Sequence, residues 1–94
     1  MKIERFDDVW DAIEATPAKA ANMRARADLM IAIREAVDGW GVTQAAAAKR
    51  LGLTQPRMND LIRGRIGKFS LDALINVAPE AGLTVRVQIG RKAA

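Results

Sequence analysis

Six cationic side chains between Thr43 and Lys68, namely Lys49, Arg50, Arg57, Arg63, Arg65 and Lys68, are opposed by one acid, Asp60. A net +5 over 26 residues is the electrostatic footprint of phosphate binding, where an ordinary solvated face would mix its signs. Interleaved with the cations are Gln44, Thr54, Gln55 and Asn59, whose side chains carry hydrogen-bonding groups. Such groups match base edges or phosphates: Gln pairs with adenine, Arg with guanine, Asn with either groove feature, and a carboxylate such as Asp60 either accepts from the cytosine amino group or repels phosphate at wrong registers. The chemistry on offer is recognition rather than bond making. The chain has no His, Cys or Tyr, which removes imidazole and thiolate nucleophiles, His or Cys metal sites and disulfides. Ser70, the one serine, has no base to activate it and reads as a helix cap. No enzyme, cofactor or metal is expected.

The spacing of small and capping residues says how these side chains are positioned. Thr43 caps a helix over 44–51 whose four alanines, Ala45 to Ala48, let a neighbouring backbone come close, and Gly52 supplies the left-handed residue that ends it. After Leu53, Thr54 caps a second helix over 55–63, with Pro56 tolerated in the first turn and Gly64 as the stop. Met58, Leu61 and Ile62, three and four residues apart, turn one face inward. At 100° per residue Pro56, Asn59, Asp60 and Arg63 then face out, with Arg57 flanking and Gln55 at the exposed N-terminal edge. Helix, glycine turn, helix over 43–64 is the arrangement in which the second helix enters the major groove of duplex DNA. Lys49, Arg50, Arg65 and Lys68 suit phosphate contacts that fix register.

The remaining chain supplies the support. Phe6, Val9, Trp10 and Ile13 recur at helical spacing among Asp7, Asp8, Asp11 and Glu14, giving a short acidic helix over 6–15. Thr16 before Pro17 opens a long helix to about Asp38, with Met23, Met30, Ile33 and Val37 on one side and Gly39-Trp40-Gly41 as its stop. Ser70 caps a helix from Leu71 that Pro79 ends or kinks near Ala78. From Leu83 the period becomes two: Leu83, Val85, Val87 and Ile89 alternate with polar residues, the pattern of a half-buried strand over 83–89. A lone strand leaves unpaired backbone groups, so the pattern predicts a homodimer closed by an antiparallel ribbon about a two-fold axis.

The 94 residues amount to one domain, half hydrophobic but only 4% aromatic, with eighteen alanines. That composition favours close-set helices over a large ligand cavity. No apolar run approaches the roughly 18 residues of a membrane span and the start lacks a signal-peptide core, so a soluble cytoplasmic protein is expected. Residues 1–40 carry six basic groups against eight acids and residues 41–94 nine against three, placing the basic surface in the second half. Three further motifs lack their context. Gly64-Arg65-Ile66-Gly67 resembles the loop of KH domains without the required sheet. Gly39-Trp40-Gly41 has no preceding strand for a dinucleotide site. Asp7, Asp8 and Asp11 lack the spacing of a calcium loop.

The stretch from Thr43 to Gly64, with Gln44, Ala48, Gly52, Met58 and Leu61 in register, resembles the helix-turn-helix of the XRE family of phage-repressor-like regulators. Val9 to Glu14, Arg26 to Met30 and Phe69 to Leu74 extend the likeness to HigA-type antitoxins of type II toxin–antitoxin modules. The resemblance implies a five-helix repressor-like domain, so that residues 1–94 are expected to be one all-α domain to which the period-two pattern adds a short C-terminal β-strand pairing across a dimer. It implies that the protein represses its own operon at a palindromic operator and neutralises a RelE-like toxin. Gln44 matches a phosphate-contacting position. Thr54, Gln55, Pro56, Arg57 and Asp60 match positions facing DNA, Gln55 being the foremost base contact. The acidic helix reads as a cap that staples Phe6 and Trp10 onto the core; the alternative, which follows from the resemblance because RelE-like toxins are basic, is that Phe6, Asp7, Trp10 and Asp11 form a toxin-binding surface. Ala46 stands where many relatives have Glu, and Pro79 interrupts a helix that relatives often continue.

Overall fold

In the computed structural model the described residues are 16–92. They form four α-helices: α1 (Pro17–Asp38), α2 (Gln44–Leu51), α3 (Gln55–Ile62) and α4 (Leu71–Val77), with 3-10 turns at Ile66–Lys68 and Ala78–Ala81. Each α-helix starts where a side-chain oxygen satisfies an otherwise orphaned N–H. Thr16 accepts from Lys19, Thr43 from Ala46, Thr54 from Arg57 and Ser70 from Ala73, at 3.0–3.3 Å. The expected acidic helix over 6–15 lies outside the described residues.

The 22-residue α1 is the spine. Met23, Ala27, Met30, Ile33 and Val37 make its buried stripe, and Met30 and Ile33 are wholly inaccessible. Against that stripe pack Ala47, Ala48 and Leu51 of α2, Met58 and Leu61 of α3, and Leu74 and Val77 of α4, with Ile66 and Phe69 filling the space between α3 and α4. Of the four alanines of α2 only Ala47 and Ala48 are buried, while Ala45 and Ala46 face out. At 100° per residue four consecutive positions cannot share one face. Residues Ala78–Ala81 tighten into a 3-10 turn around Pro79, and Gly82 closes it at φ 80°. The helix thus ends where proline removes a donor.

Two expectations are corrected. The helix expected over 55–63 ends at Ile62, with Arg63 as its cap residue. Among the described residues no strand is formed, so 83–89 is not a β-strand in this chain. A strand exists through its hydrogen-bonded neighbour, and no other described segment runs alongside as a second strand. The Leu83 N–H instead donates to the Ala78 carbonyl at 3.1 Å. The alternation survives in part. Leu83 and Val85 pack on the core, whereas Val87 and Ile89 are 79% and 85% exposed.

Candidate nucleic-acid interface

The turn between α2 and α3 is built on one glycine. Gly52 sits at φ 71°, its N–H donates to Lys49, and the next N–H, of Leu53, reaches back to the Ala48 carbonyl at 2.9 Å. This paired closure requires a left-handed residue, which a side chain disfavours. The same device ends α3: Gly64 lies at φ 67°, its N–H donates to Leu61, and the Arg65 N–H donates to the Asp60 carbonyl at 3.0 Å. Met58 and Leu61 anchor α3, each 0% exposed, and full burial of such side chains stabilises by about 1.5–3 kcal/mol apiece. With that face fixed inward, the opposite one is presented to solvent.

The N-terminal end of α3 carries the open part of that face. Thr54, Gln55 and Pro56 are exposed, and Gln44 at the start of α2 is half-buried. Thr54 serves twice, since its hydroxyl oxygen is also the cap that accepts from the Arg57 N–H. Farther along, the polar side chains engage one another. Arg65 pairs with Asp60 at 3.1 Å, and the Arg63 Nε donates to the Asn59 Oδ1 at 3.4 Å. Asp60 is mostly covered, its side chain 16% exposed, so it offers less to an incoming base than its outward helical position suggested. Lys49 and Lys68 are exposed. Arg50 lies over the Trp40 ring, 3.7 Å from its centroid, which leaves its charge at the surface while its plane is held.

Arg57 takes a different course from its neighbours on the reading face. It is half-buried, its guanidinium lies 4.3 Å from the centroid of Phe69, and its Nη1 donates to the Lys68 carbonyl at 2.6 Å. Two further arginines, which sequence reasoning did not place in the site, reach the same loop from behind. Arg26 of α1 donates to the carbonyls of Ile66 and Phe69 at 3.3 and 3.2 Å. Arg34, 5% exposed, donates to the Ile62 carbonyl at 2.7 Å. Carbonyls between Ile62 and Phe69 are therefore gripped by three guanidiniums, and the same loop carries the exposed Arg63, Arg65 and Lys68. Arg34 had a sequence signal, since it sits three and four residues from Val37 and Met30 on the buried stripe. Arg26 had the same signal, three and four residues from Met23 and Met30, whereas Arg57, expected to face DNA, had none for its turn toward Phe69.

Other expected sites fall elsewhere. Leu83, Val85 and Val87 border an apolar groove that Leu29 of α1 and Ile75 of α4 also line, far along the chain from the reading helix. Phe6, Asp7, Trp10 and Asp11 lie outside the described residues. Among the described residues no cluster of acids could hold a metal ion, and no helix is long and apolar enough to cross a membrane. A family model described as a helix-turn-helix domain matches residues 13–90. No curated protein matches the chain.

Proposed function

The chain belongs to this helix-turn-helix domain family, and from that premise we propose that it is a sequence-specific DNA-binding repressor whose reading helix is α3. The observation that carries the reading is the polarity of α3. Met58 and Leu61 are fully buried while Thr54, Gln55 and Pro56 at its leading end are open, which is the presentation a major-groove helix requires. The cations around it supply phosphate contacts, and Gln55 supplies base readout. The reading is one of binding, not catalysis, and an operator-bound repressor works in the cytoplasm.

In this proposal the protein acts as a homodimer on a palindromic operator, its two α3 helices about 34 Å apart in successive major grooves. The exposed Val87 and Ile89, continuing the alternation of Leu83 and Val85, support pairing of two C-terminal segments. The finer part of the proposal is that the protein is the antitoxin of a toxin–antitoxin operon, neutralising a RelE-like toxin through Phe6, Asp7, Trp10 and Asp11. It is supported by the likeness of Val9 to Glu14, Arg26 to Met30 and Phe69 to Leu74 to HigA-type antitoxins.

Fluorescence anisotropy on duplex DNA from upstream of the gene, against a scrambled duplex at two salt concentrations, tests the core of the reading. Preference for the upstream sequence, weakening steeply with salt, is the expected result. Equal, feeble binding to both would point to a protein-binding inhibitor that does not use DNA. Co-purification with the product of the adjacent gene separates an antitoxin from a free-standing regulator of the same fold.

A further inference from the structure

We propose that Arg57 is a positioning residue of the interface, which sets the Ile66–Lys68 turn against α3 so that Lys68 meets a DNA phosphate, and does not itself read a base. The inference rests on the DNA-binding reading above. Its basis is the pair of contacts that occupy the guanidinium. One plane lies on Phe69, which is 1% exposed and immobilised by the core. One edge donates to the Lys68 carbonyl at 2.6 Å. A planar cation held on a ring and bonded at its edge has little freedom to swing toward a groove.

What those contacts fix is a turn with little hold of its own. Ile66–Lys68 is three residues of 3-10 helix, started without a side-chain cap and including Gly67. Ile66 anchors one end in the core, at 1% exposure, and Arg26 holds the Ile66 and Phe69 carbonyls from the α1 side. Lys68, whose side chain faces solvent, is held through its carbonyl by Arg57, a hydrogen bond that ties it directly to the reading helix. The positions of the phosphate-binding ammonium and of the base-reading Gln55 are in this way referred to one rigid helix.

The test is a double-mutant cycle read as salt dependence of operator binding. Each lost phosphate contact reduces the slope of log K against log salt by about one. Each substitution falls in both protomers of the dimer, so Lys68→Ala and Arg57→Met are each expected to reduce it by about two, and the double variant by no more than either alone, with preference for operator over scrambled DNA kept. Phe69→Leu, which leaves the Arg57 charge in place and removes the ring beneath it, is expected to show the same loss. Circular dichroism melts confirm that each variant is folded at the assay temperature, and Phe69→Leu carries the test should Arg57→Met fail to fold. A slope reduced by about four in the double variant would make Arg57 a phosphate contact in its own right and overturn the proposal. So would relaxed choice at one base pair in Arg57→Met, or an unchanged slope in Lys68→Ala or Phe69→Leu. Wild-type protein without salt-dependent operator preference would instead refute the DNA-binding reading itself.

Discussion

Replacing Arg34 by Met tests whether the reading helix is held from behind. Arg34 is 5% exposed and its Nη2 donates to the Ile62 carbonyl at 2.7 Å. That carbonyl belongs to the last turn of α3, where carbonyls have no intrahelical donor. Met fills a similar length of apolar space, so the cavity contribution is small and the change isolates the polar one. A hydrogen bond from a charged donor contributes about 1.5–3 kcal/mol, and stranding a buried carbonyl costs about 1–3 kcal/mol. Relief from keeping a charge out of water acts in the opposite direction. Taking about 2 kcal/mol as the net loss, a domain of this size should melt roughly 8–16 °C lower. The assay is thermal and urea denaturation followed by circular dichroism, with an unchanged urea m-value showing that the folded and unfolded states remain comparable. A melting temperature within a degree or two of the parent would refute the reasoning, because desolvation would then balance the bond and α3 would need no tether at its C-terminal end.

Three further outcomes can be checked. Gln55→Ala removes an exposed side chain, so stability should hold while operator affinity falls by roughly 1–3 kcal/mol per half-site with relaxed choice at one base position in each; equal loss on every sequence would demote Gln55 to a phosphate contact. Val87→Asp with Ile89→Asp places two charges on the exposed apolar strip and should convert a dimer to monomer in light scattering, and a monomeric wild type at micromolar concentration would sink the ribbon. Deleting residues 1–15 should abolish capture of the purified neighbouring toxin and spare DNA binding; a truncated protein that still binds toxin places the contact elsewhere.

Features written in short-range chemistry were legible in the sequence. A cap joins residues three apart, as Thr43 to Ala46 or Thr54 to Arg57, so both partners stand in one window of the chain. A left-handed glycine closes its helix within six residues, which made Gly52 and Gly64 readable as stops. The long helix could be bounded by its Thr16-Pro17 start and its Gly39-Trp40-Gly41 stop, although Gly39 itself is right-handed at φ −66° and the left-handed residue is Gly41 at φ 63°. The loop that completes the candidate site was not legible, because its bonds join distant residues. Arg26 meets Phe69 across 43 positions and Arg34 meets Ile62 across 28, and only tertiary packing decides which carbonyl a long arginine reaches. Residues 83–89 show a third case. Their alternation is plain, but alternation records which side chains seek cover, whereas a strand needs a hydrogen-bonded neighbour that one chain does not provide.

The contacts among the surface cations also decide which process bears the cost of ordering them. A long side chain that becomes fixed only on association forfeits about 0.5–1.5 kcal/mol of rotameric freedom at that moment. Arg50 on the Trp40 ring, Arg63 against Asn59 and Arg65 against Asp60 have part of that freedom restricted already in the unliganded protein. The entropy is lost during folding and subtracts from the stability of the domain. An anionic partner therefore meets a charge pattern already arranged, and more of the released counterion entropy remains as affinity.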